Sequence, residues 1–82
     1  MTMSFELYID IDQDYDNFLK SRTWDYIRQN WKYVKHLYKS YRVVLYYRRS
    51  SSGNVHLMLE SDYRPSVIEQ FQIRALLMYI SA

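Results

Sequence analysis

The sequence predicts an α+β domain in two layers, a three-stranded sheet with helices on one face, and three observations predict it. Residues 5–12 alternate apolar and polar, and residues 14–39 carry apolar side chains at helical spacing. Residues 41–61 return to strand composition around a serine-rich turn, before a last helical stretch.

In the first strand Phe5, Leu7, Ile9 and Ile11 point one way, and Glu6, Tyr8, Asp10 and Asp12 the other. One face is therefore buried and one wet. Trp24, Ile27, Trp31, Val34 and Tyr38 then form a helical stripe. Thr23 is a cap candidate that divides this stretch into a short helix over 14–20 and a longer one over 24–39. Over 41–49, Val43, Leu45 and Tyr47 share one face, and Arg42, Val44, Tyr46 and Arg48 the other. Ser50 to Asn54 is a turn in which Gly53 and Asn54 tolerate positive φ. In 55–61, Val55, Leu57 and Leu59 face inward, and His56, Met58 and Glu60 outward. Pro65 suits the first turn of a last helix whose apolar side is Val67, Ile68, Phe71, Ala75 and Met78.

The order is β-α-β-β-α. A right-handed crossover makes the first two strands parallel, and the hairpin adds the third. In a ferredoxin- or RRM-like half-open sandwich the third strand inserts between the first two, so 5–12 lies beside 55–61. The usual fourth strand is missing. The edge of 5–12 is then open to another chain, including a second copy in a homodimer.

Eighty-two residues make one domain, 1–82, with a thin core. The absence of cysteine excludes disulfides, thiolate zinc sites and thiol nucleophiles, and fits a reducing cytosol. A net charge of +2 does not by itself argue for nucleic acid. No apolar run approaches the roughly 20 residues needed to span a bilayer. Met1 to Ser4 lacks the basic and apolar regions of a secretory signal, so the expectation is a soluble cytoplasmic protein without a membrane partner. Ten tyrosines exceed what such a core hides, which puts several at the surface. The apolar stretch from Leu77 to Ala82 suggests docking onto something.

Alternation puts Asp10 and Asp12 on one face, with His56 and Glu60 a strand away. Two carboxylates at i and i+2 form a hard oxygen site for Mg²⁺ or Mn²⁺, ions that also coordinate substrate phosphates. Arg48 and Arg49 stand at the mouth of the turn, whose N–H groups and hydroxyls suit phosphate. Arg28, Lys32, Lys35 and Lys39 line one side of the long helix, a path for a nucleic-acid backbone. Tyr8 and Tyr46 on the open sheet face suit base stacking. Each feature has a plainer use: aspartates end strands, lysines solubilise helices, and tyrosines pack across strands. No P-loop, dinucleotide fingerprint or paired metal-ligand histidines compete with this reading.

The segment Tyr8-Ile9-Asp10-Ile11-Asp12 resembles the Asp-hydrophobic-Asp motif of archaeo-eukaryotic primases. The run from Ser50 through Gly53 to His56 and Leu57 resembles their second motif, a serine- and glycine-rich turn leading into a strand with a histidine. The resemblance covers about residues 5–60. It implies Asp10 and Asp12 as catalytic metal ligands, and Ser50 and His56 as phosphate contacts. The family's third carboxylate lies on a later strand; Glu60 is the candidate substitute here. The zinc-binding element of cellular primases has no counterpart. The resemblance implies a minimal primase-like module of a viral or plasmid replication system, acting on nucleotides if catalytic. The rival expectations are a non-enzymatic nucleic-acid-binding protein and a dimeric interaction protein of the same fold.

Overall fold

The computed structural model describes residues 5–78. The elements are β1 (Phe5–Ile11), α1 (Tyr15–Phe18), α2 (Arg22–Tyr38), β2 (Val43–Arg49), β3 (Val55–Ser61) and α3 (Val67–Met78). The sheet order is β1-β3-β2, with β3 antiparallel to both neighbours. β1 and β2 are therefore parallel and separated by the inserted third strand, as the crossover rule predicts. The fold is α+β, a three-stranded open sheet with helices against one face.

β1 and β3 alternate without a break between buried and accessible positions. Phe5, Leu7, Ile9 and Ile11 meet Val55, Leu57 and Leu59 on the covered face. Phe18, Ile27, Val34, Tyr38, Ile73 and Leu77 close the core from the helical layer. β2 is less enclosed. Its inward Tyr47 packs on Trp24, with ring centroids 4.9 Å apart, and remains half exposed. Among the described residues no helix covers the sheet's other face, whose outward residues are mostly polar or aromatic, with Met58 and Val44 only partly buried.

Local signals set the boundaries. Asp14 accepts from Asn17 N–H and opens α1. α2 opens at Ser21, whose hydroxyl accepts from Trp24 N–H at 3.2 Å, and not at Thr23. Thr23 is buried inside the first turn, where its Oγ1 accepts from Gln13 Nε2. Serine therefore takes the cap that the sequence reading offered to Thr23, and the threonine lies in the interior. The last helix begins after Pro65 with a reciprocal capping box. Glu69 N–H donates to Ser66 Oγ, and Ser66 N–H donates to Glu69 Oε1 at 2.8 Å.

α3 also turns a different side inward from the one expected. Ile73 and Leu77 are buried, whereas Val67, Ile68, Phe71 and Ala75 face solvent. Met78, assigned to the same side, ends the helix, and its side chain lies outside the described residues. The expected docking end, Leu77 to Ala82, is described only in part, since residues 79–82 lie outside the described residues. Among the described residues no helix is long and apolar enough to cross a membrane.

Candidate phosphate and metal site

The strand register orders the uncovered face into rows. Asp10, His56 and Arg48 lie side by side across β1, β3 and β2. The next row is Tyr8, Met58 and Tyr46, and the one beyond it Glu6, Glu60 and Val44. Successive rows are about 7 Å apart, two residues along each strand. A charged row thus borders an aromatic one. Tyr8 is 61% exposed and Tyr46 45%, and they flank Met58 from opposite sides.

The charged row ends at a depression of about 220 Å³ lined by Asp10, Asp12, Ser50, Ser52, Asn54 and His56. His56 Nε2 lies 3.2 Å from Asp10 Oδ1. Asn54 Nδ2 donates to Asp12 Oδ1 at 3.1 Å, which ties the end of β1 to the hairpin turn. The turn is held by its own bonds. Ser50 N–H donates to Asn54 O, Gly53 N–H to Ser50 O, and Asn54 N–H to Ser50 Oγ. Gly53 has φ of +89°, a conformation that glycine takes without strain. Its carbonyl accepts from Tyr15 N–H, fastening the turn to α1.

Four of the residues expected to act together, Asp10, Asp12, Ser50 and His56, do line one depression. Ser50 is buried, and its hydroxyl is already engaged with Asn54 N–H and Ser52 Oγ. Its main effect is to shape the turn. Ser52 and Asn54, not singled out from the sequence, are more accessible lining groups than Ser50. Their signal was the turn itself: a polar residue on each side of the glycine, returning toward the acidic strand end.

Two expected members stand apart. Arg49 shares the covered face with Val55, so it reaches Asp16 at 3.0 Å and lies over the Tyr15 ring. Glu60 is on the wet face but directly opposite Glu6, four residues along β3 from His56. That separation is about 13 Å. Glu60 therefore does not supply a third carboxylate beside Asp10 and Asp12. Arg48 does flank the row, in an adjoining depression of about 200 Å³ with Tyr8, Tyr46, His56 and Met58.

Among the described residues no three Asp, Glu, His or Cys side chains are grouped to hold a metal ion alone. Asp10 and Asp12 are two exposed carboxylates on one face, each already touching one neighbour. Such a pair suits an ion that keeps most of its waters and takes its remaining ligands from phosphate oxygens. Nearby, the Glu6 carboxylate pushes the Tyr8 phenol above its ordinary pKa, and the Tyr8 hydroxyl donates to it at 3.2 Å. Tyr8 thus remains a neutral ring at neutral pH.

Arg28, Lys32, Lys35 and Lys39 are all exposed on or just after α2, on the layer that covers the sheet. None of the four lines the depression. The basic row and the acidic site are two surfaces, not one. None of the protein-family models, curated proteins or solved structures compared with the chain matches it.

Proposed function

We propose that the chain is a minimal primase-like module that binds a nucleotide with Mg²⁺ or Mn²⁺ on the uncovered sheet face, in a viral or plasmid replication system. The observation that carries this reading is the gathering of Asp10, Asp12, Ser52, Asn54 and His56 around one depression with Arg48 alongside. Asp10 and Asp12 would hold the ion, with phosphate oxygens and water completing its shell. His56, Arg48 and the turn's donors would hold the phosphates. The Tyr8–Met58–Tyr46 row lies one step away, where the base of a nucleotide held by its phosphates would stack. If the module is catalytic it is a metal-dependent nucleotidyltransferase, working in the cytoplasm, and in the host's if viral. Asp10 and Asp12 are then its catalytic carboxylates.

A thermal-shift titration tests this. Mn²⁺ with a nucleoside triphosphate is expected to raise the melting temperature of the wild type, since a ligand of the folded state stabilises it by mass action. The Asp10→Asn/Asp12→Asn variant is expected to lose that rise. An equal rise in both, or none in the wild type, ends the proposal.

The second reading is a non-enzymatic nucleic-acid-binding protein, favoured by the unobstructed line of Arg28, Lys32, Lys35 and Lys39. It predicts that labelled single-stranded DNA binds without metal, with a steep salt dependence that flattens on Lys32→Ala/Lys35→Ala substitution.

A further inference from the structure

We propose that the outer face of α3 is a homodimer interface, in which two copies pack α3 against α3, antiparallel, about a two-fold axis at Phe71. The inference does not rest on the nucleotide reading. Val67 is 67% exposed, Ile68 72% and Phe71 69%. With Ala75 they recur at i, i+1, i+4 and i+8 and so form one stripe on one side of the helix. The three large side chains present about 400 Å² of surface, as much as the largest apolar patch of an ordinary monomer. A groove of about 430 Å³ adjoins them between α2 and α3, lined by Tyr33, Leu37, Ala75 and Leu76 with His36 and Gln72. The stripe alone is about half of the roughly 800 Å² that each partner contributes to a stable interface.

Charge singles out a second copy as the occupant. Glu69 and Arg74 are the charged residues of α3, and both turn toward their own chain. Glu69 accepts from Tyr63 hydroxyl and Ser66 N–H, and the Arg74 guanidinium reaches the Tyr8 carbonyl on the β1 edge at 3.5 Å. The stripe therefore offers no like charge to its own image. An antiparallel crossing at Phe71 sets the two phenylalanines together and each Val67 against the partner copy's small Ala75, the large-against-small fit that helix packing needs. Arg74 also occupies part of the β1 edge, so the helical layer is the less obstructed surface for self-association. The uncovered sheet face stays free in both copies.

Sedimentation of the full chain up to about 200 µM, with dissociation constants read from the concentration dependence, tests the proposal. Wild type is expected to reach twice the monomer mass. Ile68→Glu/Phe71→Glu is expected to weaken the dimer at least 100-fold, the scale of central interface anchors, with an unchanged circular-dichroism spectrum. Because the chain has no cysteine, single thiols give a second measurement that does not depend on a charged variant folding. Phe71→Cys should oxidise to a covalent dimer, and Gln29→Cys, exposed on α2, should not. A wild type that stays monomeric, including one that instead binds neutral phospholipid vesicles, overturns the proposal. So does a dimer indifferent to the double substitution, or equal cross-linking at both positions.

Discussion

His56 Nε2 stands 3.2 Å from Asp10 Oδ1 across the β1–β3 ladder, where the two residues are direct partners. The side chains are 39% and 83% exposed, so water competes for both. A polar contact in that setting, charged or not, contributes at most about 1 kcal/mol to stability. His56→Ala is therefore expected to change the urea midpoint little. It is also expected to remove most of the melting-temperature rise given by Mn²⁺ with nucleoside triphosphate. A large loss of stability with an intact ligand response would assign the pair to the fold instead of the site.

The turn that shapes the depression depends on Gly53. A Cβ there meets no atom within 4 Å, so space is not the constraint. The constraint is the φ of +89°, and an L side chain held there costs about 1–2 kcal/mol. Gly53→Ala should lower stability by that amount in chemical denaturation. Relaxation of the turn would also shift Ser52 and Asn54, so nucleotide affinity should fall by more than the stability change accounts for. Gly53→Ala with wild-type stability would show that the turn adopts another conformation in solution.

Much of the sheet was legible because alternation is a strict code. Seven consecutive residues in β1 and seven in β3 obey it, and it places Asp10 and His56 on one face of neighbouring strands once the third strand is inserted. The same rule separates Arg48 from Arg49. Grouping them at the turn mouth set that rule aside, and the structure restores it by sending Arg49 to Asp16. α3 was not legible for the opposite reason. Val67, Ile68, Phe71, Ile73, Leu76 and Leu77 leave apolar residues on nearly every side, so period 3.6 defines no unique inner stripe. The choice was made by the capping box at Ser66 and Glu69 and by packing against α2, neither of which periodicity reports. Ser21 and Thr23 are both cap formers, and only burial distinguishes them.

That choice of face has a measurable contrast. Ile73 is fully buried among core side chains, whereas Ile68 on the same helix is exposed. Ile73→Ala should cost about 3 kcal/mol, the transfer loss plus the cavity left behind. In a domain this small that is a large share of the whole folding free energy. Ile68→Ala, measured at concentrations where the chain is monomeric, should stay within about 0.5 kcal/mol. Comparable losses at the two positions would mean that α3 is rotated from the orientation described.

Glu69 makes the capping box sensitive to pH. Its carboxylate accepts from Ser66 N–H and from the Tyr63 hydroxyl, and these bonds hold its pKa below the ordinary 4.5, the Ser66 backbone bond most strongly. A carboxyl whose folded pKa is depressed binds its proton more weakly folded than unfolded. Its stabilisation is complete above the unfolded pKa and disappears as pH falls through the folded one. The same carboxylate lifts the Tyr63 phenol above its ordinary pKa, which keeps that donor protonated across neutral pH. Urea denaturation should therefore show the difference between wild type and Glu69→Gln shrinking as pH drops from 7 through the carboxylate range, and nearly vanishing where both side chains are neutral. Ser66→Ala should lower stability by about 1 kcal/mol at pH 7 through loss of the cap. It should leave much of the acid response in place, because the backbone N–H that Glu69 accepts from remains. An acid response in Glu69→Gln as large as in wild type would assign the pH dependence to other carboxylates.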